Sequence, residues 1–208
     1  MTLEYLANIA MGYLLGSIPF GLLAGYAFTG KDIRRFGSGK TGTTNVLRTA
    51  GKFAAALVVI GDISKGTAPA LIGRFVFHDD GVAAAGAAAG IAGHVWPVFA
   101  GFRGGRGVAT AFGGVLGLTP LVALAFPLIG AILIGSTRYV SVMSIIGTPI
   151  AVAILVVLAA TGAESWTFAF FGVFAVALIE YMHIPNIRRL LAGTEPKIGK
   201  GGEKPVSG

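Results

Sequence analysis

The sequence predicts an all-α integral membrane protein with seven transmembrane helices, one of them short, the N-terminus outside and the C-terminus in the cytoplasm. Three observations predict it. Of its 208 residues, 54% are hydrophobic and only 12% charged, and the mean hydropathy is +0.80, a composition typical of membrane proteins. Uncharged stretches long enough to cross a hydrocarbon core of roughly 30 Å recur along the chain. The basic residues are confined to alternate connections between those stretches.

The stretches fall at about 3–28, 53–77, 81–100, 107–136, 140–161 and 165–182. In the first, nothing from Tyr5 to Gly30 is charged, and Gly16 and Pro19 in GSIPFG are expected to loosen the helix, either for close packing or to open its wall. A cleaved signal peptide is not expected, because MTLEYL places Glu4 where a basic segment belongs. The second stretch carries Asp62 and Lys65 at depth; their i, i+3 spacing fits an internal pair, and equally a pair facing a cavity. The fourth is too long for one upright helix and too short for two full ones. Gly117 and Pro120 in GLTP divide it into a short span and a longer one. Residues 1–192 thus read as one membrane-embedded domain. The remainder, GTEPKIGKGGEKPVSG over 193–208, reads as a flexible basic cytoplasmic tail within reach of anionic lipid.

Seven alternating crossings place 31–52, 101–106, 137–139 and 184–208 on one side. Every Lys and Arg except Lys65 and Arg74 lies in those segments, so that side is assigned to the cytoplasm, with Glu4, Asp79, Asp80 and Glu164 outside. A six-span reading would scatter the basic loops across both faces. The same distribution answers the net charge of +7: the cations belong to membrane loops, and no nucleic-acid partner is inferred. With no cysteine, neither a disulfide nor a thiolate nucleophile is available.

The cytoplasmic loops carry the chemistry. GSGKTGTTN contains the Gly-Lys-Thr that closes a nucleotide-binding loop, but the glycine required five positions earlier is Arg34, and no soluble strand precedes it. Glycines let amide groups converge on an anion while hydroxyls and cations complete the cradle. Gly37, Ser38, Gly39, Lys40, Thr41, Thr43, Thr44 and Asn45 supply such a set in the first loop, and Arg103, Gly104, Gly105, Arg106 and Gly107 in the second. Lys31, Arg34 and Arg35 fit a purely topological role. His183 and Asn186 share a helical face if the last span continues through Pro185. His94, beside Trp96 and Pro97, is as readily a residue that satisfies a backbone carbonyl.

GSIPFG, DIRRFGSGKTGTTNVLR, GDISKG, GHVWPVFAGFRGGRGVAT and HIPNIRRLLAGTE closely resemble, in order and spacing, the signature segments of the bacterial acyl-phosphate:glycerol-3-phosphate acyltransferases, the PlsY family. The likeness runs from about residue 12 to 197. It implies a small enzyme of the bacterial cytoplasmic (inner) membrane, with its site at the cytoplasmic face. It further implies transfer of a fatty acyl group from acyl phosphate to glycerol 3-phosphate, giving lysophosphatidate, with neither metal nor cofactor. The partners implied are the two substrates and membrane lipid, with no obligate protein partner.

Carried over by position, Ser38 and Arg48 are expected to be catalytic, with His183 and Asn186. Thr43, Thr44 and Asn45 line the same pocket, Lys65 is counted among the binding residues, and Gly104 to Gly107 form the glycerol phosphate site. Glu195 is expected to be structural. Lys40 stands where the family commonly has Asn, and Arg103 and Arg106 where lysine is usual; the charge is kept, but as a planar fork.

An acyl phosphate carries its own leaving group, so positioning and charge stabilisation outweigh a strong base. The substrate phosphate itself is the expected proton acceptor. A His-x4-Asp acyltransferase motif is absent, since Phe99 and Arg188 lie five positions after the candidate histidines. A transporter would need a polar path, whereas the outer half is apolar; a scaffold would leave the paired glycine-rich loops without a purpose.

Overall fold

The computed structural model describes residues 1–198, and the tail from 199 onward lies outside the described residues. Those residues form helices and loops without a strand. The first apolar stretch is two helices, α1 (Thr2–Gly16) and α2 (Phe20–Thr29), broken at the expected proline, which cannot donate to the ladder. A loop containing a 3-10 turn at Ile33–Arg35 leads to the short α3 (Thr43–Thr49), then α4 (Gly51–Phe75) and α5 (Asp80–Val95). A second loop, with a 3-10 turn at Val98–Ala100, leads to α6 (Val108–Leu118) and α7 (Pro120–Thr137). The next long helix runs as α8 (Val140–Val142), a π-helical segment (Met143–Gly147) and α9 (Thr148–Ala160). The last helix, α10 (Trp166–Leu191), continues through Pro185 to Leu191, well beyond the expected end at 182.

Six helical segments are long and apolar enough to span a membrane, and α6, with 11 residues, is a shorter apolar one. The GLTP break is therefore real. Two glycine seams hold the bundle. Gly12 and Gly16 of α1 meet Gly86 and Gly90 of α5 backbone to backbone, and Gly66 of α4 meets Thr110 of α6 in the same way; none of these contacts leaves room for a Cβ. Where lipid removes the hydrophobic incentive for helices to associate, close backbone approach supplies the attraction. Gly16 is thus a packing residue, while Pro19 makes the break.

The broken and short helices have their loose ends tied by side chains, as an apolar medium requires. Lys65 Nζ donates to the Ile18 carbonyl at the break, 2.9 Å away. Arg74 Nη1 donates to the Leu118 carbonyl at the end of α6, 2.6 Å away, and Thr67 Oγ1 donates to the Gly113 carbonyl within it. Thr119, just beyond α6, donates to Glu164, and Tyr5 to Asp79. These acidic connections gather at one end of the bundle; the basic loops gather at the other, around a cavity.

Candidate active site

The first basic loop is shaped by α2 and by one asparagine. Gly21 of α2 sits directly on the carbonyl of Thr41, and Gly25 on the side chain of Ile33, with no space for a Cβ at either. Asn45 is 2% exposed. Its Nδ2 donates toward the carbonyls of Ile33, Phe36 and Lys40, and its Oδ1 accepts from the amide of Ser38. Gly37 and Gly39 both adopt positive φ, +58° and +68°, so the chain reverses tightly around Ser38 and presents it to the cavity.

The second loop is fixed to the end of α5. The amide of Gly104 donates to Val95 and that of Gly105 to His94, at 3.2 and 3.1 Å, and the side of Gly105 abuts the His94 ring. Arg34 Nη1 donates to Ala100, binding the two loops together, while its guanidinium pairs with Asp32. Arg34 is therefore more than a topology marker. Gly107, with φ of +85°, turns the chain into α6.

These loops and α10 enclose a cavity of about 650 Å³, within the range of ligand sites. One end is polar and strongly cationic: Lys40, Arg48, Arg106 and Arg189 face it, with Ser38, Thr43 and Thr44. Of the lining acids there, Glu195 accepts from Asn186 Nδ2 and Arg189 Nε, each at 2.7 Å. The other end is walled by Val59, Ile63, Phe112, Phe126, Val140 and Met143.

Electrostatics mark the polar end as built for an anion. Burial, and then the neighbouring Arg189 and Arg48, lower the Arg106 pKa to about 10. Burial and Arg106 lower that of Lys40, and burial lowers that of Arg48. Burial pushes Glu195 up, but the bonds from Asn186 and Arg189 outweigh it and hold its carboxyl below the usual range. Thr43 Oγ1, Arg48 Nε, Arg106 Nε and Asn186 Oδ1 are buried without a hydrogen-bond partner among the described residues. Such groups are costly to leave unsatisfied, and here they share one cavity.

His183, 2% exposed, lies 2.8 Å from the Ile179 carbonyl through Nδ1. A carbonyl only accepts, so Nδ1 carries the proton and Nε2 remains the ring's acceptor.

Several expectations need correction. Gly39, Thr41, Lys65, Arg103, Gly104 and Gly105 do not line the cavity. The amides of Gly39, Gly104 and Gly105 donate to protein carbonyls, and these glycines shape turns. Arg103 points to solvent. Asn45 spends its polar atoms on its own loop. Lys65 pairs with Asp62 at 3.0 Å and ties down the helix break, while Asp62 itself lines the cavity, so the pair is internal and also borders the cavity. Gly37, Ser38, Lys40, Thr43, Thr44, Asn45, Arg48, Arg106, Gly107, His183 and Asn186 are brought together as expected. Sequence reasoning missed Arg189, Ser141 and Ser144 as lining residues; Arg189 was legible as the residue three beyond Asn186 on the same face. The first few residues of the tail, 193–198, are packed: Glu195 is 9% exposed and Ile198 N donates to the Arg138 carbonyl.

The glycerol-3-phosphate acyltransferase family model matches residues 6–193. A glycerol-3-phosphate acyltransferase of Synechococcus sp. (strain CC9902) is 41% identical over 203 residues, covering 98% of this chain and all of the relative. One from Rhizobium meliloti (strain 1021) is 44% identical over 197 residues, covering 95% and 94%. The chain also superposes on crystal structures of PlsY (YgiH), an integral membrane glycerol 3-phosphate acyltransferase. For the glycerol 3-phosphate form the TM-score is 0.87 at 41% identity, over 94% of this chain and 96% of that one. For the lysophosphatidic acid form it is 0.84 at 40% identity, over 93% and 94%.

Proposed function

The chain belongs to the glycerol-3-phosphate acyltransferase family, and we propose that it draws the acyl group from acyl phosphate. It acylates glycerol 3-phosphate, giving lysophosphatidate. One observation carries the reading of the site: four cations and several orphaned polar atoms converge on one end of a cavity whose other end is apolar. That is the shape of two phosphates meeting a fatty chain.

In the proposed reaction Ser38, Thr43 and Arg48 hold the donor phosphate, and Arg106, with Lys40 and Arg189, holds that of the acceptor. His183 Nε2 and Asn186 Oδ1, both acceptors, orient the glycerol hydroxyls. A hydroxyl oxygen attacks the acyl carbonyl carbon, the bond from that carbon to the phosphate oxygen breaks, and phosphate leaves. The proton passes to the departing phosphate, whose second pKa near 6 suits it to accept one. Among the described residues no carboxylate orients His183; its Nδ1 is committed to a backbone carbonyl, an arrangement better suited to positioning than to strong base catalysis. His183→Ala is therefore expected to slow turnover by less than about four orders of magnitude, the upper scale for general-base loss. Complete loss, with fold and glycerol 3-phosphate binding intact, would make His183 the base.

The donor is tested with purified protein in detergent, given glycerol 3-phosphate and either acyl phosphate or acyl-CoA. Lysophosphatidate is expected only from acyl phosphate; formation from acyl-CoA alone would sink the donor assignment.

The site opens, on this proposal, at the cytoplasmic face of the bacterial inner membrane, with seven crossings and α6 as the short one. Supporting this, the basic segments converge around the cavity while Thr119–Glu164 and Tyr5–Asp79 pair at the opposite end. A reporter fused after Gly208 should report cytoplasm, and one inserted at Asp79 or Glu164 the outside. A cytoplasmic signal at Glu164 would contradict the count.

A further inference from the structure

In the cavity wall lies a buried cluster of Asp62, Lys65 and His94, each 5% exposed or less; Asp62 and His94 line the cavity and Lys65 does not. Lys65 Nζ is 3.0 Å and His94 Nδ1 3.4 Å from the same oxygen, Asp62 Oδ1. Lys65 Nζ also reaches the Ile18 carbonyl at the α1–α2 break and lies 5.6 Å from the centre of the Phe20 ring. The far edge of the His94 ring meets Gly105. A Cβ there would overlap Nε2, and its three nearest neighbours would all be ring atoms. Arg106 is the next residue.

We infer that His94, packed between Asp62 and Gly105, is a positioning residue: it sets the backbone from which Arg106 reaches the acceptor phosphate. The inference rests on the assignment of Arg106 above. A carboxylate this buried is tolerated only with its partners in place, so the three side chains lock one another. The buried imidazole has Asp62 on one side and Gly105 on the other, so its place sets how closely the loop approaches α5. Arg106 Nε has no hydrogen-bond partner among the described residues, so that nitrogen gives the guanidinium no anchor among them. Its position comes from the loop, and displacement by about an ångström is enough to cost catalysis heavily. Asp62 thereby joins the break in the first span to the anion site in the second loop.

The test is a double-mutant cycle on glycerol 3-phosphate kinetics, with thermal unfolding of each protein to establish fold. His94→Ala and Gly105→Ala should each raise KM for glycerol 3-phosphate by about tenfold, with kcat changed less. The double variant should be no worse than His94→Ala alone, because the added methyl occupies the space that the ring vacates. His94→Asn, which keeps a polar group beside Asp62 but clears the Nε2 edge, should relieve Gly105→Ala likewise and serves if His94→Ala does not fold. Effects that multiply to about a hundredfold in the double variant overturn the inference. So do folded single variants with unaltered KM beside an Arg106→Ala protein whose KM is raised. If Arg106→Ala itself leaves KM unaltered, the acceptor-phosphate assignment fails, and this inference with it.

Discussion

Arg106→Ala is expected to raise the KM for glycerol 3-phosphate by about ten- to over a hundredfold, with a smaller effect on kcat. The guanidinium is partly buried beside Arg48 and Arg189 and its pKa is depressed to about 10, so it already bears part of the electrostatic cost of binding an anion. A dianionic phosphate repays that repulsion at once. The lost charged hydrogen bond corresponds to roughly 1.5–3 kcal/mol. Because the acceptor phosphate does not react, the contact is as strong in the bound substrate as in the transition state, and its loss falls on KM. Arg106→Lys should recover part of the affinity, retaining the charge without the fork. An unchanged KM in folded Arg106→Ala protein would remove this residue from the acceptor site.

Gly66→Ala should be among the most damaging single methyls in the molecule. The new Cβ would overlap the carbonyl oxygen of Thr110 and lie 2.9 Å from the amide nitrogen of Gly114. Both obstacles are backbone of α6, which Arg74 and Thr67 hold by its own carbonyls, so neither can turn aside as a side chain would. Overpacking commonly costs about 1–3 kcal/mol, and a rigid backbone obstacle places this case at the upper end. A loss of about 3 kcal/mol lowers Tm by roughly 6–12 °C in a chain of this size. Gly135→Ala is the control, since nothing lies within 4 Å of its Cβ and alanine favours a helix by about 1 kcal/mol. Equal Tm values for the two variants would show that the α4–α6 seam can open without cost.

The spans and the shared face of the basic loops were legible because hydropathy and charge are additive along a chain. The resemblance of the motifs then placed Ser38, Arg48, Arg106, His183 and Asn186 around one site, as found. What stayed hidden depends on partners distant in sequence. Nothing local tells that the amides of Gly104 and Gly105 are consumed by Val95 and His94, or that Asn45 turns inward to hold its loop. Lys65 has the charge of a phosphate ligand; only the break at Ser17–Pro19 reveals the carbonyl that claims it. Pro185 looked like a helix end, yet the carbonyl it leaves without a donor belongs to Tyr181, which is 62% exposed. Arg189 lies three residues beyond Asn186 on the same face of α10, which continues through Pro185.

The π-helical segment at Met143–Gly147 has a consequence for how chain length can vary here. A π turn holds one residue more than the α turn it replaces, so it behaves as an insertion absorbed without a bulging loop. Deleting one residue between Met143 and Gly147 would let the segment close as ordinary helix, with Thr148–Ala160 keeping its register against α10. The change would fall on Met143 and Ser144, which line the cavity, rotating them relative to the apolar wall. Natural indels at this one point would therefore remodel the chamber while leaving the rest of the bundle undisturbed.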